Sequence, residues 1–361
     1  MSIFVTQLVP HNEVKNVKGI VQAALNFSHS IIDAIKPFQV YALLPLTEKK
    51  TQSFTFEYNN TTAVQCRAFP HNKAFRVFNV IIENIIIIKH IIFKNQNDIW
   101  FYNLSFHNII CFIILKFFFR KKCFILLADF SPEFISSKIF LSIMRYADGI
   151  ISLSSKTKYF FPKHKNFVIN PGIINLRGIV TTKRDSFNKS QFLFAGSLNP
   201  HAGIDLALKT FSILPKYDLF ISGEGNTEEY IKQMSAKFEN IHYLGFLDYK
   251  SYLEILGSID IVLNLRNPEY IENEYNFPSK ILEYFINNKL LISTLKYETI
   301  DENLYYYSEY KEESLKKTIE KIVQTDYEYI EQKLKNANNY VLTNFSFDQW
   351  NKLVKKVEAN A

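Results

Sequence analysis

Short apolar runs alternate with stretches of helical periodicity along nearly the whole chain, and this alternation restricts the fold more than any other feature. In the first half the apolar runs lie at 2–8, 39–44, 98–102, 123–128, 149–153 and 167–170. In the second half they lie at 191–195, 218–222, 241–244, 259–263 and 290–293. Helical patterns lie near 20–35, 77–93, 106–119, 132–146, 204–214, 228–238, 249–256, 279–286, 312–324, 326–343 and 347–358. Short apolar strands joined by helices predict parallel sheets with helices on both faces.

The chain is long enough for two such sheets. Its 361 residues exceed what one hydrophobic core usually holds. The polar segment 171–190 begins with Pro171-Gly172, a pair that is typical of loops. We therefore predict an α/β protein of two Rossmann-like, doubly wound domains, 1–172 and 173–344, that face a central cleft and move about a hinge at 171–190. Ligands of such sheets bind at the carboxyl ends of the strands.

Charge is distributed unevenly between the two halves of the chain. The net charge is +7, but residues 1–180 hold 21 Lys and Arg against 9 Asp and Glu, whereas residues 181–361 hold 21 against 26. The basic half carries no RNP, KH or zinc-finger signature, so we do not predict nucleic-acid binding. An anionic membrane surface or a lipid-diphosphate acceptor would suit a basic surface. A basic surface without a particular partner is equally consistent with the sequence.

Three further features bear on the cellular compartment. The N-terminus lacks the basic segment, apolar core and cleavage site of a secretory signal. The apolar runs at 77–93 and 106–119 contain polar and charged residues and fall short of the roughly 18 apolar residues of a membrane span, so we interpret them as buried or interfacial helices. The cysteines are odd in number and widely spaced, which is typical of reduced cytosolic thiols; they are Cys66, Cys111 and Cys123. We expect a cytoplasmic protein, peripheral on the inner face of the plasma membrane if the basic half binds lipid.

The segment Phe277–Lys280, with the sequence FPSK, predicts a helix start that binds phosphate. Proline is favoured in the first turn of a helix, and the free N–H groups of that turn attract anions. Lys280 adds a positive charge and Ser279 a hydroxyl donor. Glu283 lies on the same helical face, where its carboxylate can accept hydrogen bonds from two ribose hydroxyls. This arrangement suits a nucleotide, although the four residues alone are also consistent with an ordinary helix start.

Four short motifs follow one another within residues 190–345; they are Phe194–Leu198, Ile221–Gly225, Tyr243–Phe246 and the FPSK segment with its Glu-Tyr pair. In this order they resemble the retaining glycosyltransferases of family four, which have the GT-B fold. It implies transfer of a hexosyl group from a nucleotide sugar with retention of configuration and without a cofactor. It also implies that helix 345–358 packs back on the first domain. No Asp-x-Asp motif is present, so we expect no metal site.

The resemblance implies roles for individual residues. Arg266 and Lys280 would neutralise the leaving diphosphate. The residues that would line the donor are Gly196, Ser197, Gly223, Glu224, Gly245, Phe246, Phe277, Ser279 and Glu283. The sequence departs from the family pattern at the residues expected to contact the diphosphate and at one expected to contact the sugar. Ser197 and Ala202 stand where many members carry Arg and Lys. Tyr275 stands eight residues before Glu283, where members carry a first glutamate, and Glu274 misses this position by one residue, so the first glutamate is either absent or displaced.

Two polar residues end apolar runs in the first half. The carboxylate of Asp129 could orient an acceptor hydroxyl or accept its proton, and it could equally cap the following helix. Asn103 is an acceptor contact or a turn residue, and the turn residue is the favoured interpretation. The spacing of His11, His71 and His107 predicts no metal site.

Together these features predict a glycosyltransferase. Its donor would be a nucleoside diphosphate sugar, with UDP as the commonest nucleotide of such enzymes, and its acceptor a hydroxyl of a glycan or lipid-linked glycan, as in capsule or lipopolysaccharide synthesis. Two alternatives remain. A nucleotide-sugar epimerase could use the same fold, but the sequence offers no convincing acid–base set around a sugar. A sugar-nucleotide-binding subunit without catalysis would be consistent with the two departures from the family pattern.

Overall fold

The computed structural model describes residues 2–6, 22–37, 39–42, 54–58, 61–65, 76–94, 96–130, 135–174, 179 and 187–361. The chain divides into two compact units. Unit 1 comprises Met1–Ile173, Tyr275–Phe277 and Phe345–Ala361, and unit 2 comprises Ile174–Glu274 and Pro278–Asn344. Several residues named above lie outside the described ranges, and these are Cys66, His11, His71 and the hinge residues 175–178 and 180–186.

Strands and helices alternate through both units. The strands are β1 (Ile3–Thr6), β2 (Gln39–Ala42), β3 (Phe54–Tyr58), β4 (Thr61–Gln65), β5 (Asp98–Tyr102), β6 (Lys122–Leu127), β7 (Gly149–Ser152), β8 (Phe167–Ile169), β9 (Gln191–Ser197), β10 (Asp218–Glu224), β11 (Ile241–Tyr243), β12 (Ile261–Asn264), β13 (Leu290–Ser293) and β14 (Tyr306–Tyr307). The helices are α1 (Gln22–Ile35), α2 (Arg76–Phe93), α3 (Ile109–Ile113), α4 (Ile135–Met144), α5 (Ile204–Ser212), α6 (Glu228–Lys237), α7 (Tyr249–Ser258), α8 (Glu272–Tyr275), α9 (Lys280–Ile286), α10 (Glu312–Gln324), α11 (Tyr327–Asn344) and α12 (Phe347–Ala359). A π-helix, Ile114–Phe118, continues α3.

Unit 1 is built on an eight-stranded sheet in the order β3-β4-β2-β1-β5-β6-β7-β8. All neighbours pair in parallel except β3 and β4, which are antiparallel. One face is covered by α2, α3 and α4, whose buried side chains share a core with Ile99 and Ile125. The other face is covered by α1 and α12, with Trp350 in the core. Because both faces are covered, strands such as β6 read as continuous apolar runs.

Helix α12 is held in unit 1 by hydrogen bonds as well as by apolar packing. The indole of Trp350 donates to the carbonyl of Gly172 over 2.6 Å, and the amide of Asn351 donates to the carbonyl of Ala34 over 2.9 Å. The Trp100 indole in β5 donates to the Glu358 carboxylate over 2.9 Å. The last segment of the sequence is therefore an integral part of the fold of the first.

Unit 2 is built on a six-stranded sheet in the order β11-β10-β9-β12-β13-β14, with parallel pairing throughout these strands. Helices α5, α6 and α10 share a core on one face with Phe192 and Leu219. Together with the sheet of unit 1, this architecture confirms the prediction of two Rossmann-like sheets. Within the described ranges, no helix combines the length and apolar character needed to cross a bilayer.

The hairpin of β3 and β4 is not among the predicted elements. The sequence of β3, FTFEY, alternates apolar with polar residues, that of β4, TTAVQ, contains only two apolar residues, and the two are separated by Asn59-Asn60, a residue type common in turns. Continuous apolar runs indicate strands that are covered on both faces, and neither strand of the hairpin has one. Helix α8 has four residues, too few for a helical periodicity to show in the sequence.

Candidate functional site

The order of strands in unit 2 identifies where a ligand can bind. From β9 the chain proceeds outward to β10 and β11 and then returns to β12 on the opposite side of β9. Adjacent strands whose connections leave in opposite directions create a crevice at their carboxyl ends. β9 ends in Gly196-Ser197, and β12 ends at Asn264, two residues before Arg266. The crevice therefore lies between two of the predicted donor segments.

Glycines bring the loops that follow β9, β10 and β11 close together. Gly196 and Gly223 are partners in the register of β9 and β10, and their φ angles are +146° and +147°. A Cβ atom on Gly223 would lie 1.8 Å from the carbonyl oxygen of Gly196, so no other residue fits there. The N–H of Gly223 donates to the carbonyl of Gly245 over 3.0 Å. Three of the predicted donor residues thus form one continuous backbone surface.

Lys280 reaches this surface from α9. Its Nζ donates a hydrogen bond to the carbonyl of Ala195 over 3.0 Å and lies 3.7 Å from where a Cβ on Gly196 would be. It also lies 4.8 Å from the ring centroid of Tyr252, within the range of a cation–π contact. Burial lowers the pKa of Lys280, and the charge of Glu283 opposes this shift. An anion bound beside the ammonium would compensate for part of its lost hydration.

Glu283 lies one turn further along α9, and two tyrosines of α7 hold its carboxylate. The hydroxyl of Tyr249 donates to Oε1 over 3.0 Å, and that of Tyr252 donates to Oε2 over 2.7 Å. Burial, followed by the charge of Glu283, raises the pKa of Tyr252 well above its ordinary value. Each carboxylate oxygen has a second lone pair, so Glu283 can still accept hydrogen bonds from the two hydroxyls of a ribose.

The start of α9 differs in detail from the predicted phosphate-binding turn. Pro278 is buried, and the helix proper is seven residues long, from Lys280 to Ile286. The N–H groups of Ile281 and Leu282 donate to the carbonyls of Pro278 and Ser279 over 3.0 and 3.1 Å. These two amides are therefore bonded within the turn. Attraction of phosphate at this position depends on the side chain of Lys280 rather than on them.

Arg266 lies on the other side of the crevice. Its guanidinium donates to Oδ1 of Asn273 over 3.1 Å. The amide of Asn273 donates in turn to the carbonyls of His201 and Asn267, over 2.7 and 2.8 Å. Asn273 is buried, so it ties the loop after β12 to the turn after β9 and orients Arg266 between them.

His201 is a candidate residue that the sequence analysis did not identify. It lies in the short 3₁₀ turn Pro200–Ala202 that follows β9. Burial, and then the charge of Arg266, lower the pKa of His201, while Glu272 opposes the shift. The available signal was its place beside Ala202, in the turn where the family resemblance expects basic side chains.

The remaining predicted donor residues occupy different surroundings. Ser197 and Glu224 are exposed at the ends of β9 and β10, and the Ser197 hydroxyl accepts from the Asn199 amide over 2.8 Å. Phe246 is 65% exposed beside Gly245. Phe277, in contrast, belongs to unit 1 and packs against the core cluster that contains Trp350. Its ring is therefore engaged in a hydrophobic core, which the sequence analysis did not anticipate.

Tyr275 also belongs to unit 1, although it stands where the family pattern has a first glutamate. Its ring lies 6.0 Å from that of Phe130 and 5.5 Å from that of Phe160. The neighbouring Asn276 accepts a hydrogen bond from the backbone N–H of Phe130 over 2.8 Å. An aromatic ring at this position thus serves packing, which a carboxylate could not do.

Asn103 and Asp129 are brought together in unit 1. Asn103 follows β5 at the strand reversal between β1 and β5 and has φ +47°. Its Oδ1 accepts from the N–H groups of Ala128 and Asp129 over 2.8 and 3.2 Å, and its Nδ2 lies 3.4 Å from Oδ2 of Asp129. Burial raises the pKa of Tyr102, and the charge of Asp129 and a hydrogen bond to it add to this shift.

This arrangement bears on the two interpretations of each residue. The described part of α4 begins at Ile135. The exposed carboxylate of Asp129 is held by Asn103 and Tyr102. Asn103 is both a turn residue and a support for Asp129. In the described part of the chain, no group of three or more His, Cys, Asp or Glu could hold a metal ion.

Comparison with known proteins bears on the same region. Residues 182–340 match the family model of Glycosyl transferases group 1. No curated protein matches the sequence. The fold is similar to that of the trehalose-6-phosphate synthase OtsA, with a TM-score of 0.73, 10% identity and coverage of 99% of this chain and 98% of that one. It is also similar to that of HepE from Anabaena, solved in complex with UDP, with a TM-score of 0.70, 12% identity and coverage of 100% of both chains. Sucrose-phosphate synthase from Thermosynechococcus elongatus is similar too, with a TM-score of 0.71, 12% identity and coverage of 100% of both chains.

Proposed function

We propose that the protein is a glycosyltransferase that binds a nucleoside diphosphate sugar in unit 2 and transfers the sugar to a hydroxyl group. The observation that carries this proposal is the position of Lys280, whose ammonium lies against the end of β9 beside the glycine loops. The match of residues 182–340 to Glycosyl transferases group 1 includes every side chain of this site.

The residues of unit 2 suggest how the reaction is assisted. The difficult step is the departure of the nucleoside diphosphate, which develops negative charge as the glycosidic bond breaks. Lys280 and Arg266 would stabilise that charge in a partly buried crevice, where electrostatic stabilisation is often the largest catalytic contribution. Glu283 would fix the ribose, and Gly245 and Phe246 would contact the base. Ser197, Gly223 and Glu224 would line the diphosphate and sugar.

The acceptor is assigned to residues of unit 1. Asp129 would orient the acceptor hydroxyl and take up its proton, supported by Asn103 and Tyr102. From the sequence resemblance we propose UDP as the nucleotide, a hexosyl group transferred with retention, and a glycan or lipid-linked glycan at the inner membrane surface as the acceptor. HepE, which is similar in fold, was solved in complex with UDP, and this supports the choice of nucleotide.

Calorimetric titration with UDP, GDP and ADP tests the donor site, and we expect UDP to bind most tightly. In a separate thermal-unfolding experiment the unfolding temperature should rise with the concentration of UDP. Incubation of a UDP-sugar with acceptor glycans, followed by chromatography, then tests transfer. Epimerised donor in the absence of acceptor would indicate the epimerase. UDP binding without turnover on any acceptor would indicate a sugar-nucleotide-binding subunit without catalysis. Absence of nucleotide binding would exclude the transferase, the epimerase and the binding subunit alike.

A further inference from the structure

We infer that the outer surface of α2, α3 and α4 in unit 1 docks on an anionic bilayer interface. We call it the aromatic–basic surface and define it by the exposed residues of the described segments 76–94, 109–122 and 135–146, which contain these helices and the residues that follow them. The inference deepens the proposed function, because an enzyme docked there would find its lipid-linked acceptor in the same membrane.

Large apolar side chains are exposed along this surface. On α2 they follow a spacing of four residues, which places them on one stripe of the helix; they are Val77, Ile81, Ile85 and Phe93. Phe117, Phe118 and Phe119 follow at the end of the π-helix, with Phe118 74% exposed. Ile139 and Tyr146 belong to α4 and its end, and the Tyr146 ring lies 5.3 Å from that of Phe117.

These residues are not the core-facing side of their helices. The core-facing side is already occupied, because Ile87 and Ile91 of α2 and Phe112 of α3 are fully buried against the sheet. A helix that is apolar on its outer side as well is stabilised when that side is also removed from water. Large apolar side chains that are exposed in such number on one side of a protein mark sites of interaction.

The charges on the aromatic–basic surface are of one sign. Among the described residues of these helices and their flanking segments, the exposed charged side chains are Lys89, Lys94, Arg120, Lys122, Lys138 and Arg145. Of the acidic groups that the structure describes nearby, Glu83 is buried and Asp148 is paired with Lys116 over 2.6 Å. Asp98 is half-buried and is the register neighbour of Lys122, so it offsets part of one of the six exposed cations. Phe117–Phe119 and Arg120–Lys122 are adjacent in sequence, so aromatic rings and cations are exposed side by side.

This combination fits an anionic bilayer better than a second copy of the chain. Aromatic rings enter the headgroup region while Lys and Arg remain with the phosphates, and each cation strengthens binding to an anionic surface. A symmetric dimer through the same surface would place cations against cations, which opposes association. The bilayer is therefore the partner that we assign.

Sedimentation with vesicles tests this assignment. The full chain is mixed at low ionic strength with vesicles of equal parts phosphatidylglycerol and phosphatidylcholine, and with vesicles of phosphatidylcholine alone. We expect binding to the anionic vesicles that weakens with added salt. A variant with Arg120→Gln and Lys122→Gln should bind roughly thirtyfold more weakly, from the loss of two cations. Phe118→Ser should weaken binding roughly tenfold.

Matched controls keep the test specific. Ile213→Ser removes a side chain of unit 2 that is 55% exposed, and Lys232→Gln removes an exposed cation of α6; both should bind vesicles like the wild type. UDP affinity, measured on every variant, should not change, which separates this test from that of the donor site. Equal vesicle binding by all variants would overturn the inference, as would light scattering that shows a dimer dissociated by Phe118→Ser.

Discussion

The ammonium group of Lys280 and the carbonyl oxygen of Ala195 lie 3.0 Å apart, so a helix that begins after β12 reaches the end of β9 in the middle of the sheet. This hydrogen bond uses one of three donors, and the others remain available to a phosphate. The contact explains how a residue 85 positions later in the sequence joins the glycine loop.

Replacing Lys280 should impair the reaction more than it impairs folding. We expect Lys280→Ala to lower turnover of the donor at least about tenfold, the scale of losing one charge-assisted contact. Steady-state kinetics with a UDP-sugar measure this, and Lys250→Ala, an exposed lysine of α7, is the control. An unchanged rate in Lys280→Ala would refute the assigned role.

Glu283→Gln should weaken nucleotide binding because one ribose acceptor is lost and the amide must compete for Tyr249 and Tyr252. We expect UDP affinity to fall about tenfold, since hydrogen bonds to charged groups contribute about 1.5–3 kcal/mol. Titration with 2′-deoxy-UDP sharpens the test. The variant should lose less affinity for this ligand than for UDP, whereas equal losses would mean that Glu283 does not contact that hydroxyl.

Asp129→Asn should lower turnover while leaving UDP affinity unchanged, because Asp129 is assigned to the acceptor and lies in unit 1. General acid–base contributions are typically about a hundredfold or more. Tyr102→Phe, which removes the hydroxyl bonded to Asp129, should cause a smaller loss and shift the pH–rate profile. A variant of Asp129 with full activity would exclude it from the reaction.

Alanine at Gly223 should destabilise unit 2 by at least about 2 kcal/mol, because its Cβ would collide with the carbonyl of Gly196. Gly245→Ala is the matched control. Gly245 also has positive φ, +71°, but among the described residues no atom other than those of its chain neighbours lies within 4 Å of its added Cβ, so we expect a cost of about 1 kcal/mol. Urea unfolding followed by far-UV circular dichroism compares the two variants.

Acid should destabilise unit 1 through His164. Its Nε2 lies 2.9 Å from the Ala147 carbonyl, and its Nδ1 is buried with no partner among the described residues. Burial lowers the pKa of His164, while the Ala147 carbonyl and Asp148 oppose the shift. The unfolded chain therefore binds this proton at higher pH than the folded one, and stability falls as pH drops below about 6.5 until the folded pKa is passed.

Tryptophan fluorescence isolates this effect, because Trp100 and Trp350 are the two tryptophans of the chain and both are buried in unit 1. The urea midpoint should fall between pH 7 and pH 5.5, and His164→Asn should reduce that fall. His90, whose pKa burial also lowers, should leave part of the dependence in place. A midpoint equally sensitive to pH in both proteins would contradict the prediction.

Periodicity predicts much of the fold because the strands are covered on both faces. Asp98–Tyr102 and Leu290–Ser293 occur with the predicted bounds, and other elements differ by a few residues at their ends. Alternating strands such as β3 escape a search for continuous apolar runs. The hydrogen bonds from Tyr249 and Tyr252 to Glu283 could not be predicted either, because they depend on how α7 packs beside α9. The two tyrosines precede Glu283 by 34 and 31 residues.

Motif spacing predicts which residues belong to the site, but it does not predict the environment of each side chain. Gly196, Gly223 and Lys280 meet in space because they end or follow neighbouring parallel strands. Phe277 is adjacent to this motif in sequence, yet its ring packs in the core of unit 1. Sequence cannot predict that difference, because the chain passes from one unit to the other between Phe277 and Pro278.

The placement of α12 in unit 1 also determines the order in which the units can be completed during synthesis. All residues of unit 2, up to Asn344, leave the ribosome before Phe345–Ala361 do. Until then the core of unit 1 lacks Trp350 and Val354, and its apolar surface stays open to chaperones and to other nascent chains. The second unit of the sequence is therefore the first that can be finished, and the first unit is finished last.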